Sequence, residues 1–372
     1  MEKLKLFLIS CVALLGSCTE GLKDVEINEK NFPDEKFRAW LSEQEYGKDG
    51  VITAEEIAKV DSINVSEMEI HNLQGVEFFT ALTQLYCNNN QLTALDVSKN
   101  TALEYLYCYN NQLTALDVSK NTALTDLASS SNQLTTLDVS KNIELTDLSC
   151  YSNQLTALDV SKNIKLTDLS CFGNQLTALD VSKNTELTDL SCCFNQLTTL
   201  DLSKNTELTN LQCMNNQLTT LDVSKNTKLT DLWCFANQLT ALDVSQNTAL
   251  TRLFCDQNQL TALDVSKNTA LTVLECSGNQ LTALDVSKNT ALTDLSCYQN
   301  QIKDEAMDAL VASLPALDKG ELNVVYNENE GNVMTTEQAT AAKSKGWTSY
   351  YFTGEIDERN EQIWQEYVGR KP

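Results

Sequence analysis

Histidine is almost absent: His71 is the single copy in 372 residues. That scarcity removes most of the usual equipment for general-base, catalytic-triad and zinc chemistry. Carboxylate-only catalysis needs no histidine, but nothing in the pattern below points to it. The expectation is a protein that is not an enzyme and carries no cofactor or metal. Basic residues are also few, 27 Lys and Arg against 51 Asp and Glu, for a formal charge of -24. A field of that sign repels phosphate backbones and excludes nucleic acid as the expected partner. The N-terminal apolar run, Leu6 to Gly16, is too short to span a bilayer as a helix.

That run has signal-peptide length and follows the basic start Met1 to Lys5. It ends in Leu15-Gly16-Ser17-Cys18, which resembles the lipobox of bacterial lipoproteins. The resemblance implies removal of residues 1–17 and acylation of Cys18, with a plain secretory signal as the alternative. Acyl chains hold through buried methylenes at ~0.8 kcal/mol each, so the membrane is reached through lipid alone. Glu20, Lys23, Asp24 and Glu26 follow, and the stretch resembles the acidic tether of Bacteroidetes surface lipoproteins. The implied location is the outer membrane, at the cell surface.

At 372 residues the chain exceeds the usual size of one compact core, and repetition explains how it holds together. From Leu82 to about Ile302 a 21-residue unit recurs, as in Leu145 to Lys165, LTDLSCYSNQLTALDVSKNIK. Eleven copies align on Cys87, Cys108, Ser129, Cys150, Cys171, Cys192, Cys213, Cys234, Cys255, Cys276 and Cys297. The first half matches L-x-x-L-x-L-x-x-N-x-L with cysteine as the third apolar residue. The second half repeats the pattern with Val160 in that place. The chain thus resembles the short bacterial class of leucine-rich repeats, and distantly the internalins. A leucine-rich-repeat solenoid with parallel β-strands in about eleven 21-residue coils is implied.

Alternation supports this. Leu148 with Cys150, and Leu158 with Val160, each give a short strand with one buried face, so two strands per coil are expected. Asn153 and Asn163 follow, where an amide can bond turn backbone. One coil buries too little to offset the cost of ordering itself, and only stacking on neighbours reverses the balance. Exposed ends then need covers. Residues 18–81 are expected to hold the tether and a helical N-terminal cap, from Pro33 to Gln44 and from Thr53 to Val60. Residues 82–302 form the solenoid, and 303–372 an α/β cap and tail. In the latter a helix at Asp304–Leu314 precedes a strand–helix–strand unit whose parallel pair could extend the sheet.

Comparing copies separates two kinds of surface. In the second half the outward Asp96, Ser98 and Lys99 recur almost unchanged as Asp117, Ser119 and Lys120, and onward. Beside the cysteine, residues vary, and with Tyr105 these positions hold the array's aromatics. They are Tyr86, Tyr107, Tyr109, Tyr151, Phe172, Phe194, Trp233, Phe235, Phe254 and Tyr298. Neighbours of an inward residue point outward on a strand, so these rings, with Arg252, are the candidate contact surface for a protein or glycan ligand. Rings stacked along a sheet also brace it, which is the competing account. A structural or assembly subunit of the envelope is the alternative function.

Three further features have bland readings. The inward cysteines act as small hydrophobes and are expected to be free thiols, with Cys193 the outward, reactive extra. The Asp96 column is expected to bond turns, compensated by lysine, rather than to bind calcium. Glu45 to Glu56 reads E-x-G-x-D-G-x-I-T-x-x-E and resembles an EF-hand loop, but Glu45 stands where Asp is usual and Gly47 offers no ligand. A helix–loop–helix cap without calcium is the expectation.

Overall fold

The computed structural model describes residues 23–326, 330–356 and 362–370. The signal run and Cys18 lie outside the described residues, as does Glu328. The protein is a parallel-strand β-solenoid of about eleven 21-residue coils. It divides into two compact units, Met1–Leu166 and Thr167–Pro372.

In the first unit α1 (Glu35–Glu43) starts where Asp34 accepts hydrogen bonds from the Lys36 and Phe37 amides. Its buried Phe37 and Leu41 join Phe32 and Phe79 in the cap core. The short strands β1 (Val25–Glu26) and β2 (Val51–Ile52) pair antiparallel. The second expected helix shrinks to α2 (Ala54–Ile57), begun by a reciprocal Thr53–Glu56 cap. Strand β3 (Ser62–Asn64) then pairs in parallel with β4 (Gln84–Tyr86), followed in order by β5 (Tyr105–Tyr107), β6 (Asp126–Ala128) and β7 (Asp147–Ser149).

In the second unit, three-residue strands repeat with the same register from β8 (Asp168–Ser170) and β9 (Asp189–Ser191) through β10 (Asn210–Gln212), β11 (Asp231–Trp233), β12 (Arg252–Phe254) and β13 (Val273–Glu275) to β14 (Asp294–Ser296). The cap adds α3 (Glu305–Ser313), β15 (Gly320–Asn323), α4 (Thr336–Ser344) and β16 (Trp347–Ile356). Both cap strands continue the parallel pairing, and β17 (Gln362–Glu366) closes antiparallel on β16. Trp347 is fully buried, and a Cβ on Gly320 would stand 2.9 Å from its ring, which accounts for that glycine.

One expectation fails. The second half of each coil contains no strand among the described residues. Its apolar residues are inward as expected, with Leu116 and Val118 buried. The bonding is different. Asn121 donates its amide protons to the carbonyls of Val97 and Asn100 in the preceding coil, at 2.9 and 2.8 Å. Those carbonyls are thus taken by a side chain, and no backbone ladder forms on them.

The asparagine after each strand does more than close its own turn. The Asn132 amide donates to Ser129 O at 3.1 Å and to Cys108 O of the preceding coil at 3.0 Å, while its Oδ1 accepts from Leu113 N at 2.9 Å. Each such side chain clips two coils together. In the other column the Asp117 carboxylate accepts from the Ser119 amide at 2.9 Å, and serine hydrogen bonds, more than Lys120, hold its pKa below the usual range. Turn bonding is what these aspartates do.

Candidate functional site

On each strand the middle leucine points inward, and the flanking residues form two columns on the other face. A third column lies one residue beyond the cysteine. In the first unit Tyr86 and Tyr107 meet edge to face, 5.1 Å between centroids. Tyr107 donates its hydroxyl proton to Asp126 at 2.7 Å, and burial, then Asp126, raises the phenol pKa. Tyr105 and Tyr109 are half-buried on the same coil, and Tyr151 is half-buried in the third column.

In the second unit Trp233 and Phe254 are in direct register on β11 and β12, with centroids 4.6 Å apart and planes tilted by 41°. Phe235 is half-buried two residues beyond Trp233. Arg252, exposed on β12, is paired with Asp231 of β11. Tyr298 stacks on Tyr326 of the cap at 5.3 Å. The 21-residue period does not reveal Tyr326, which lies beyond the array. Phe172 is half-buried in the third column. The rings are thus grouped by strand register, and most are half-buried rather than fully solvated. The Trp233 Nε1 proton is buried and has no acceptor among the described residues.

Two placements correct the sequence reading. Phe194 does not flank a strand. It occupies the left-handed turn position, φ 50°, that Gly173 and Gly278 hold in other coils, and is 53% exposed. Cys193 is not an outward thiol. It is 1% exposed because Met214, one coil on, covers it, with Sγ donating to Met214 Sδ at 3.2 Å. Burial pushes its pKa up.

Every described cysteine is a buried thiol outside any disulfide. Burial raises the Cys108 and Cys150 thiols to about 12, so they stay protonated and unreactive. A thiol-reactive dye applied without reductant should therefore label none of these residues in native protein, Cys193 included, and all of them in denaturant. Rapid native labelling, or missing thiols after denaturation, contradicts this arrangement.

The loop resembling an EF-hand spends its carboxylates on its own residues. Glu56 accepts from the Thr53 amide and hydroxyl at 2.9 and 2.8 Å, Asp49 accepts from Val51 N, and Glu45 pairs with Lys48. Packing dictates Gly47, since a Cβ there would fall 1.9 Å from Leu41 O. Among the described residues no group of three His, Cys, Asp or Glu is placed to hold a metal ion, and no helix is long and apolar enough to cross a membrane.

Solenoid, strand face and cysteine ladder together define a leucine-rich-repeat protein. A family model described as Leucine Rich repeats (2 copies) matches residues 80–121. Internalin J of Listeria monocytogenes serotype 4b (strain F2365) is 43% identical over 71 residues, a match covering 19% of this chain and 8% of that protein's length. The solved functional domain of InlJ from Listeria monocytogenes, described as including a cysteine ladder, is 31% identical with a TM-score of 0.63, and the alignment covers 93% of each chain. The internalin InlF from Listeria monocytogenes has the same fold, at 24% identity and a TM-score of 0.71, over 83% of this chain and 95% of that one. The chain belongs to the internalin-like leucine-rich-repeat family.

Proposed function

We propose that this protein is a lipid-anchored cell-surface recognition protein, not an enzyme, that binds a protein or glycan through the aromatic columns of its strand face. One observation carries the reading. Rings and the repeat array's lone arginine gather on the variable strand side, while the opposite half-repeat keeps Asp, Ser and Lys nearly constant. Clusters of aromatic residues with arginine are where interface energy concentrates. The internalin-like fold supports binding as the class of activity. Trp233, Phe235, Arg252 and Phe254 form the leading patch, with Tyr86, Tyr107, Tyr109, Tyr151, Phe172, Phe194 and Tyr298 as further contacts. Capture of host or envelope surface proteins on an immobilised 23–372 fragment tests this, with the patch variants below as controls. Capture that is indifferent to every strand-face substitution contradicts it.

The anchor is tested separately. The lipobox resemblance leads us to expect that Cys18→Ala releases the mature chain from the membrane fraction into the soluble one. If that variant still sediments with membranes after a carbonate wash, acylation of Cys18 is not what anchors the protein.

A further inference from the structure

Between two ring pairs of the second unit, Trp233 with Phe254 and Tyr298 with Tyr326, the strand face carries two carboxylates. Glu275 stands in register with Phe254 on one side and Ser296 on the other. Asp256 follows Phe254 by two residues, and the Asp256 carbonyl accepts from the Ala236 amide, which places it in the same column as Phe235. Both side chains are half-buried. Neither forms an ion pair among the described residues, and the nearby Arg252 is taken by Asp231.

Such an arrangement is costly, because a carboxylate withdrawn from water needs a counter-charge or a proton. The same withdrawal from water favours the protonated acids. Burial first, then Asp256 and Asp294, push Glu275 up to about 7, against one hydrogen bond from Ser296. Burial pushes Asp256 up to about 6. Burial, then Glu275 and Asp256, raise the Tyr298 phenol to about 12. The charges acting on this step are acidic, and among the described residues no cation pairs with it.

Ligand classes can be sorted by this chemistry. An anion is repelled. A neutral sugar gains from the rings but leaves both carboxylates unpaired. For a metal ion, no third His, Cys, Asp or Glu among the described residues joins these two carboxylates. A lysine ammonium or arginine guanidinium suits both parts, since aromatic faces attract cations and the carboxylates supply the opposite charge.

We propose that the step formed by Asp256 and Glu275, flanked by Trp233–Phe254 and Tyr298–Tyr326, receives a lysine or arginine side chain of a protein partner. The inference rests on the strand-face reading and names the partner's chemistry at that face. The probe is a fluorescein-labelled peptide of alternating Gly and Lys, eight residues long, titrated by anisotropy at low salt. The Asp256→Asn/Glu275→Gln variant should lose at least tenfold in affinity. An Asp222→Asn/Asp264→Asn variant removes the same charge from the exposed turn column and should lose less than twofold. Glu275→Gln alone, the gentler change, should lose at least threefold. Equal losses in the two double variants reduce the effect to the protein's general negative field and overturn the proposal, as does no loss in either. If Trp233→Ala abolishes capture of the surface partner while the Asp256/Glu275 variants capture it fully, the strand-face reading stands and this inference fails.

Discussion

Asn132→Ala should melt at least ~4 °C below the wild type, with unfolding free energy reduced by about 2 kcal/mol or more. The side chain is nine-tenths buried and clips two coils. Its loss leaves Leu113 N without its acceptor and removes one of two asparagine bonds from each of Cys108 O and Ser129 O, which keep Asn111 and Asn153. A buried N–H left unpaired costs about 1–3 kcal/mol, and the lost bonds to the two carbonyls add to that. The matched control is Asp138→Ala. That carboxylate is exposed and accepts from the Ser140 amide and hydroxyl, so its loss should cost ~1 kcal/mol or less. Urea melts of both variants compare them directly. If they cost the same, the asparagine column does not join the coils, and the ladder of three-residue strands alone does.

Trp233→Ala and Phe254→Ala should each weaken binding of the captured partner at least tenfold, while lowering the melting temperature by only a few degrees. The two rings pack on each other at 4.6 Å, so some stability is shared between them. A stacked pair of this kind is worth ~0.5–1.5 kcal/mol beyond its area. A ring truncated at the centre of an interface costs ~2 kcal/mol or more. A collapse in melting temperature with unchanged affinity of the folded fraction assigns the pair to the scaffold.

The repeat itself was plain in the sequence, because a 21-residue period with inward Leu148 and Cys150 fixes both spacing and face. The C-terminal strand–helix–strand cap was also legible, because Pro315 and Gly346 stop its two helices. The second half-repeat was not. Leu158 and Val160 alternate just as Leu148 and Cys150 do, and the difference arises when the column that includes Asn121 claims carbonyls of the preceding coil. Cys193 misled for a related reason. Strand alternation turns it outward, but only the register shows Met214 lying over it. Phe194 was readable in principle, since it falls 21 residues after Gly173 and so inherits a left-handed turn. Asp256 and Glu275 fell in the aromatic columns yet drew no notice, because their burial depends on the height of the rings around them.

Hydroxyl-radical footprinting of the protein alone and bound to its captured partner tests the central claim most directly. Oxidation of Trp233, Phe254 and Tyr298 should fall at least threefold on binding, with the exposed lysines and threonines of the second half-repeats unchanged. Protection confined to those second-half turns, with Trp233 oxidised as fast as in the free protein, would place recognition on the opposite side and contradict the account.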